Sequence, residues 1–309
     1  MLVNKEKMAG VVDAVTNQKV VQGRSLWQDA WERFQRNKAA VVSVVILTAM
    51  VVWSFVGLAI APWTYDEIDW NVIGNAAQVG FPSIESGHYF GTDDLGRDIY
   101  ARTLQGTQIS LLVGLVGTAV AVVFGVLYGA VAGYVGGRVD NYMMRFVDFL
   151  MSIPYMFILI ILFVMFGRSL WLLFMGLGLF SWMDMARIVR GQTLAIKGKE
   201  YIEASVASGV SSFTIIIRHI LPNLMGIVAV YTTILIPGLI LTESFISFLG
   251  LGVQEPLTSW GALISDGAKT IQYGTPWQLA FPLTFFVVGL FCFYFIGDGL
   301  RDALDPKDR

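Results

Sequence analysis

Six separate stretches of this chain are apolar for long enough to lie in a lipid bilayer, and no other feature constrains its fold as tightly. They run near Ala39 to Trp63, Ser110 to Tyr134, Ile153 to Gly167, Leu170 to Ala186, Met225 to Gly250 and Leu279 to Ile296. Crossing the hydrocarbon core takes about 20 helical residues, with latitude for tilt, so the third stretch is short. Composition agrees with a membrane chain: of 309 residues 55% are hydrophobic and only 14% charged, against roughly 25% charged in an ordinary soluble domain. The expected fold is all-α, a bundle of six transmembrane helices.

The formal charge of -2 conceals how unevenly the cations are spread. Of the 21 Lys and Arg, 17 fall before the first span, between the second and third, between the fourth and fifth, or after the sixth. Cations gather in cytoplasmic connections, so both termini are expected in the cytoplasm. The loop near 64–109 and the shorter one around 254–277 are then expected outside. The N-terminus has no short apolar core followed by a small-residue cleavage site, so the first apolar segment reads as a retained anchor. The single cysteine, Cys292, lies within an apolar run and excludes an intrachain disulfide.

Ahead of the first span, in "SLWQDAWERFQRNKAA", Ser25 and Gln28 form a capping-box pattern, while Trp27, Ala30, Trp31 and Phe34 share a helical face. Residues 1–38 are therefore expected to form a cytoplasmic segment whose helix, near 25–38, lies in the membrane interface. Packing on the protein's own loops is the alternative. Residues 39–309 form the membrane domain. Within the second span Gly117, Ala121, Gly125, Gly129 and Gly133 recur every four residues. Small residues on one face let a neighbouring helix approach closely, so this helix is expected at the centre of the bundle.

Between the fourth and fifth spans, near 199–224, the chain reads "KEYIEASVASGVSSFTIIIRHILPNL". Glu200 to Ser208 has the pattern of a short helix, Gly209 of its break, and Ser211 or Ser212 of the cap of a second helix ending at Ile220, with Pro222 as terminator. Such a hairpin exposes Glu203 beside the small Ala204 and Ser205, and Ile215, Ile216 and Ile220 can anchor its second arm. This is the shape of a knob that enters a socket on another protein.

Glu203, Ala204, Ser205, Gly209, Ile220, Leu221 and Pro222 together resemble the "EAA" loop of permease subunits from bacterial ATP-binding-cassette importers, the segment that docks on the ATPase. Ser205 stands for the usual second alanine and His219 for an aliphatic residue. "GHYFGTDDLGRDIYAR", "SWMDMARIVRGQTL", "FISFLGLGVQEPLTSWGALISDGA" and "GDGLRDALDPKDR" narrow the resemblance to the dipeptide and oligopeptide permease family, in particular its C-type subunits, over nearly the whole chain from Ser25. The resemblance implies a type I importer bundle in the bacterial inner membrane. It also implies two ATP-binding subunits that hold ATP and Mg, a homologous second permease alongside, and a periplasmic binding protein that delivers an oligopeptide. Related importers carry dipeptides, nickel or antimicrobial peptides. The chain contains no GxxxxGK[ST] phosphate loop, so no cofactor is expected on it. No nucleic-acid partner is expected either.

Three further clusters could carry function. Asp93, Asp94, Arg97 and Asp98, in "FGTDDLGRD", could dock the binding protein, or could satisfy one another and the loop backbone, which is the commoner fate of charges in turns. The acids lack an EF-hand spacing. Glu243 is expected in the outer part of the fifth span beyond a break at Pro237-Gly238, either lining the translocation path or hydrogen-bonding to a neighbouring helix. Asp184 and Arg187 have the spacing of a helix-surface ion pair. His88 and His219 are both expected in loops, which argues against a paired-histidine metal site. An intramembrane protease would need a nucleophile and base facing each other at depth. Neither histidine is placed for that, and a stand-alone channel would have no use for a cytoplasmic knob.

Overall fold

A computed structural model describes residues 26–304. Helix α1 (Leu26–Arg36) leads into α2 (Lys38–Ala59), and after a folded loop containing α3 (Ala76–Val79) the chain enters α4 (Ile99–Val135). Then come α5 (Gly137–Met151), α6 (Tyr155–Phe166), α7 (Leu170–Lys197), α8 (Glu200–Ala207) and α9 (Ser212–Ile215). A π turn (Ile216–Ile220) joins α9 to α10 (Leu221–Phe248), followed by α11 (Trp260–Thr270) and α12 (Trp277–Leu304). The described residues form no strand, only two isolated bridges, Ile68 with Arg97 and Thr92 with Asp98.

Five of the expected spans are single long helices; the third differs. Helix α6 has only 12 residues, about 18 Å at 1.5 Å per residue, too little to cross alone. It is bent by 71° from α5, and Pro154, at the N-cap of α6, sits at the break. The second, fourth and sixth spans also outrun their apolar stretches: α4 has 37 residues, α7 continues 11 residues past Ala186, and α12 continues 8 past Ile296. Apolarity marks only the part of a helix that meets lipid. Turns buried against protein at either end carry polar residues and escape the hydropathy signal.

The glycine stripe lies where α4 and α7 touch. A β-carbon on Gly125 would fall 2.6 Å from Met185 Cβ, one on Gly133 2.7 Å from Thr193 Cβ, and one on Gly129 would strike the Ala186 carbonyl. Backbone therefore packs directly on α7, and gains the dispersion contacts that hold helices together when lipid is no worse a neighbour than leucine. The centrality expected of this helix is observed.

Two prolines behave differently from expectation. Pro222 does not end a helix: the π turn widens the backbone ahead of it, and the chain runs on into α10. Pro237 likewise lies inside α10, buried, and the helix continues through it to Phe248. A proline ring clashes with the carbonyl four residues back in a regular helix. A π turn displaces that carbonyl at the first site, and neighbouring helices enclose the second.

At the start of the described chain, Ala30 and Phe34 are buried with Ala40 and Ala303, against Ile296, Leu300 and Leu304, while Trp31 is 60% exposed. The aromatic face thus divides: one side rests on the end of α12 rather than on loops, and Trp31 remains free for lipid. The cap residue Ser25 and the Trp27 side chain lie outside the described residues.

Candidate coupling and translocation site

The hairpin sits at one end of the bundle and the folded loop 61–98 at the other, about 55 Å apart by the length of α4. Helix α8 exposes Glu203 and Ala204 and half-covers Ser205. Its other side is fixed: Ile202 is 1% exposed and joins Ile215, Ile220, Leu224, Val228, Met185, Val189, Ala130 and Tyr134 in one apolar cluster. That cluster draws on α4, α7 and α10. Gly209 closes α8 with φ of +74°, a backbone state in which an L side chain costs roughly 1–2 kcal/mol. Ser211 is the cap of the second arm, its hydroxyl accepting from Thr214 N at 3.3 Å. Leu221 packs on the cluster and Pro222 is exposed. His219 belongs to the π turn rather than a loop, and among the described residues no His, Cys, Asp or Glu group could hold a metal.

At the far end all four charged residues of "FGTDDLGRD" are engaged within the chain. Asp98 caps α4, accepting from Ala101 N at 2.7 Å, and meets His88 Nδ1 at 2.9 Å. His88, 1% exposed, stacks on Trp63 with ring centres 4.6 Å apart. Asp93 accepts from Leu95 N and Arg97 N, each at 2.9 Å, and from Arg97 Nε at 2.7 Å. Arg97 Nη1 donates to Glu255 at 2.6 Å, and Gln278 Nε2 donates to Asp94 at 3.0 Å. The Arg97 hydrogen bond holds the Glu255 carboxyl below its ordinary value. Burial opposes charge on Arg97, yet Asp93 and Glu255 more than offset it and raise the guanidinium's pKa. These residues clamp the loop to the segment before α11 and to the start of α12. Only Asp94 and Leu95 are exposed at the turn.

Glu243 is enclosed. It is 0% exposed, and takes hydrogen bonds from Ser247 Oγ at 2.6 Å and from Ser110 Oγ and Ser244 Oγ at 3.4 Å. Ser110 accepts from Trp260 N at 3.1 Å, Ser259 donates to Ser247 at 3.2 Å, and Trp260 Nε1 donates to Thr107 at 3.0 Å. One carboxylate thus knits α4, α10 and α11 through a ring of hydroxyls. Of the two roles open to Glu243 in the sequence, the helix-to-helix one is what this structure displays. Ser247, one turn after Glu243, was legible as a partner; Ser259 and Trp260, from a separate helix, were not.

A cavity of about 290 Å³ opens elsewhere, between α7, α10 and the bend from α5 to α6. Asp184, Ser181, Tyr155, Thr242 and Gly238 are among its lining residues. Arg187 does not pair with Asp184 as the spacing suggested: its guanidinium meets Asp148 of α5. One turn on, Arg190 grips Asp140 with two bonds of 2.6 and 2.5 Å. Both cations tie α5 to α7, a pairing between helices that spacing within one helix could not reveal.

Residues 125–309 match the model of the binding-protein-dependent transport system inner membrane component, and residues 25–77 that of the N-terminal transmembrane domain of oligopeptide transport permease C. The oligopeptide transport system permease protein of Haemophilus influenzae is 51% identical over 99% of this chain and 96% of its own length. That of Escherichia coli K12 is 54% identical over 94% of each. The dipeptide transport system permease protein of Bacillus subtilis is 43% identical over 92% of this chain and 87% of its own. Among solved structures, a chain of the MetNI methionine ABC transporter in an inward-facing conformation superposes with a TM-score of 0.55 at 20% identity, over 65% of this chain and 95% of that one.

Proposed function

The chain belongs to the inner membrane components of binding-protein-dependent transport systems, a multi-pass transport subunit rather than an enzyme, and from that premise we propose that it is one permease half of an ATP-driven oligopeptide importer. A second permease completes the path, two ATPase subunits seat the hairpin, and a binding protein delivers peptide to the loop end. In this reading the termini and hairpin face the cytoplasm, the side that the distribution of Lys and Arg favours.

The observation that carries the reading is the two-sidedness of α8. Its outer side, Glu203 to Ser205, is free to enter a socket, and its inner side is locked through Ile202 into a cluster spanning three long helices. A displacement of the knob cannot be absorbed locally, because close-packed side chains transmit strain. It becomes a rigid-body tilt of the bundle, the means by which a cavity opens to alternate sides. Oligopeptide cargo is favoured by the 51% and 54% identity to the oligopeptide permeases of Haemophilus influenzae and Escherichia coli.

Reconstitution tests this. The chain in liposomes with a second permease, ATPases and binding protein should take up oligopeptide only with ATP. Uptake by the chain alone, at the same rate without nucleotide, would contradict the proposal.

A further inference from the structure

Asp184 is an exposed carboxylate on α7, two residues before the end of that helix's apolar stretch at Ala186. It lies 14 residues from Leu170 and 13 from Lys197, the two ends of α7, so about 20 Å from either end. The cation that its spacing offered, Arg187, is held by Asp148, and Arg190 by Asp140. No ion pair reaches Asp184 among the described residues. Ionisable groups that border the hydrocarbon are costly and are kept where they face a partner or a polar path. Asp184 faces a cavity in which Ser181 donates to Leu177 O at 2.9 Å and Thr242 to Gly238 O at 2.9 Å, while the Tyr155 phenol has no hydrogen-bond partner among the described residues. The cavity thus offers a carboxylate, hydroxyl lone pairs, one phenol that can turn its oxygen to a cation, and the rings of Tyr155 and Phe180. That set accepts hydrogen bonds and suits a cation. Glu243 offers a contrast in the same bundle, being closed off by its hydroxyls.

We propose that Asp184 is the counter-ion for cationic groups of the substrate in transit, the ammonium terminus or a Lys or Arg side chain of a peptide, within the cavity between α7, α10 and the α5–α6 bend. The proposal rests on the importer reading and adds to it a residue that sorts substrates by charge. An ion pair in a partly desolvated path is worth about one factor of ten or more in discrimination.

The test uses the reconstituted complete importer with two peptides of equal length, one carrying Lys and one Gln at the same position. Binding-protein affinity for each is measured separately. Asp184→Asn should lower kcat/KM for the Lys peptide about tenfold more than for the Gln peptide. Equal losses for both, or none, would overturn the proposal. Equal losses would instead mark Asp184 as a contact between the two permeases. A wild-type importer that moves neither peptide would refute the importer reading itself, a different failure. The wild-type complex provides a second arm that does not depend on the variant assembling. A hydrophobic carbodiimide should modify Asp184, mapped by mass spectrometry, and the Lys peptide should slow this more than the Gln peptide. Absence of modification, or equal protection, would overturn the proposal.

Discussion

At the scale of single residues, the charges of this chain divide into those that are used up by the fold and those that are not. Asp98 is used as a helix cap and as a partner for His88; Asp98→Ala should cost about 1–2 kcal/mol from the cap alone, read as a lower thermal midpoint in detergent. Glu243 is used in the hydroxyl ring, so Glu243→Leu strands buried donors, at about 1–3 kcal/mol. Expression should fall and uptake of all peptides should decline together; a selective loss would mean that Glu243 meets substrate. Glu255 is used by Arg97. Its folded pKa lies below the ordinary 4.5, so its contribution is present above that pH and is lost as pH falls through the folded value. Because Glu255 is 61% exposed, the contribution is small. Glu255→Gln should flatten the acid limb of the stability curve, and an unaltered limb would show the Arg97 pair to be inert.

At the scale of elements, two joints matter: the α4–α7 contact and the hairpin. Gly129→Leu forces a side chain into the Ala186 backbone; it should separate the helices and abolish stable protein in the membrane, whereas Gly191→Leu, with open space around it, should not. Comparable yields from both would refute a packing role for the stripe. The hairpin and the stripe were legible in the sequence because each is written in one short segment, as a period of four or as helix, glycine and cap. The π turn and the passage through Pro222 and Pro237 were not, since a proline is a breaker locally and becomes tolerable only when tertiary neighbours satisfy the freed carbonyl. The third span was legible only as an anomaly of length. Its bend depends on α5, which is amphipathic and bound to α7 by Arg187 and Arg190.

At the scale of the whole molecule, the chain is a lever with fixed ends. The loop end is clamped by Asp93, Arg97, Glu255 and Gln278, and the hairpin end by the Ile202 cluster, with α4 continuous between them. A cysteine placed at Gly198, in a variant lacking Cys292, should react with impermeant reagent only from the cytoplasmic side; reaction from outside would invert the topology. Sequence alone made the spans and the knob readable, because each follows from composition and local period. Which carboxylate is sealed and which is open was not, since Glu243 and Asp184 differ only in what distant helices bring to them.

The central claim is that the knob passes motion from the ATPases to the bundle. Its most direct measurement is the number of peptides taken up per ATP hydrolysed by the complete importer carrying Glu203→Lys or Gly209→Leu. The account predicts that the ratio falls severalfold while the chain still inserts and the ATPases still turn over. A ratio equal to wild type in both variants, with the complex intact, would contradict it.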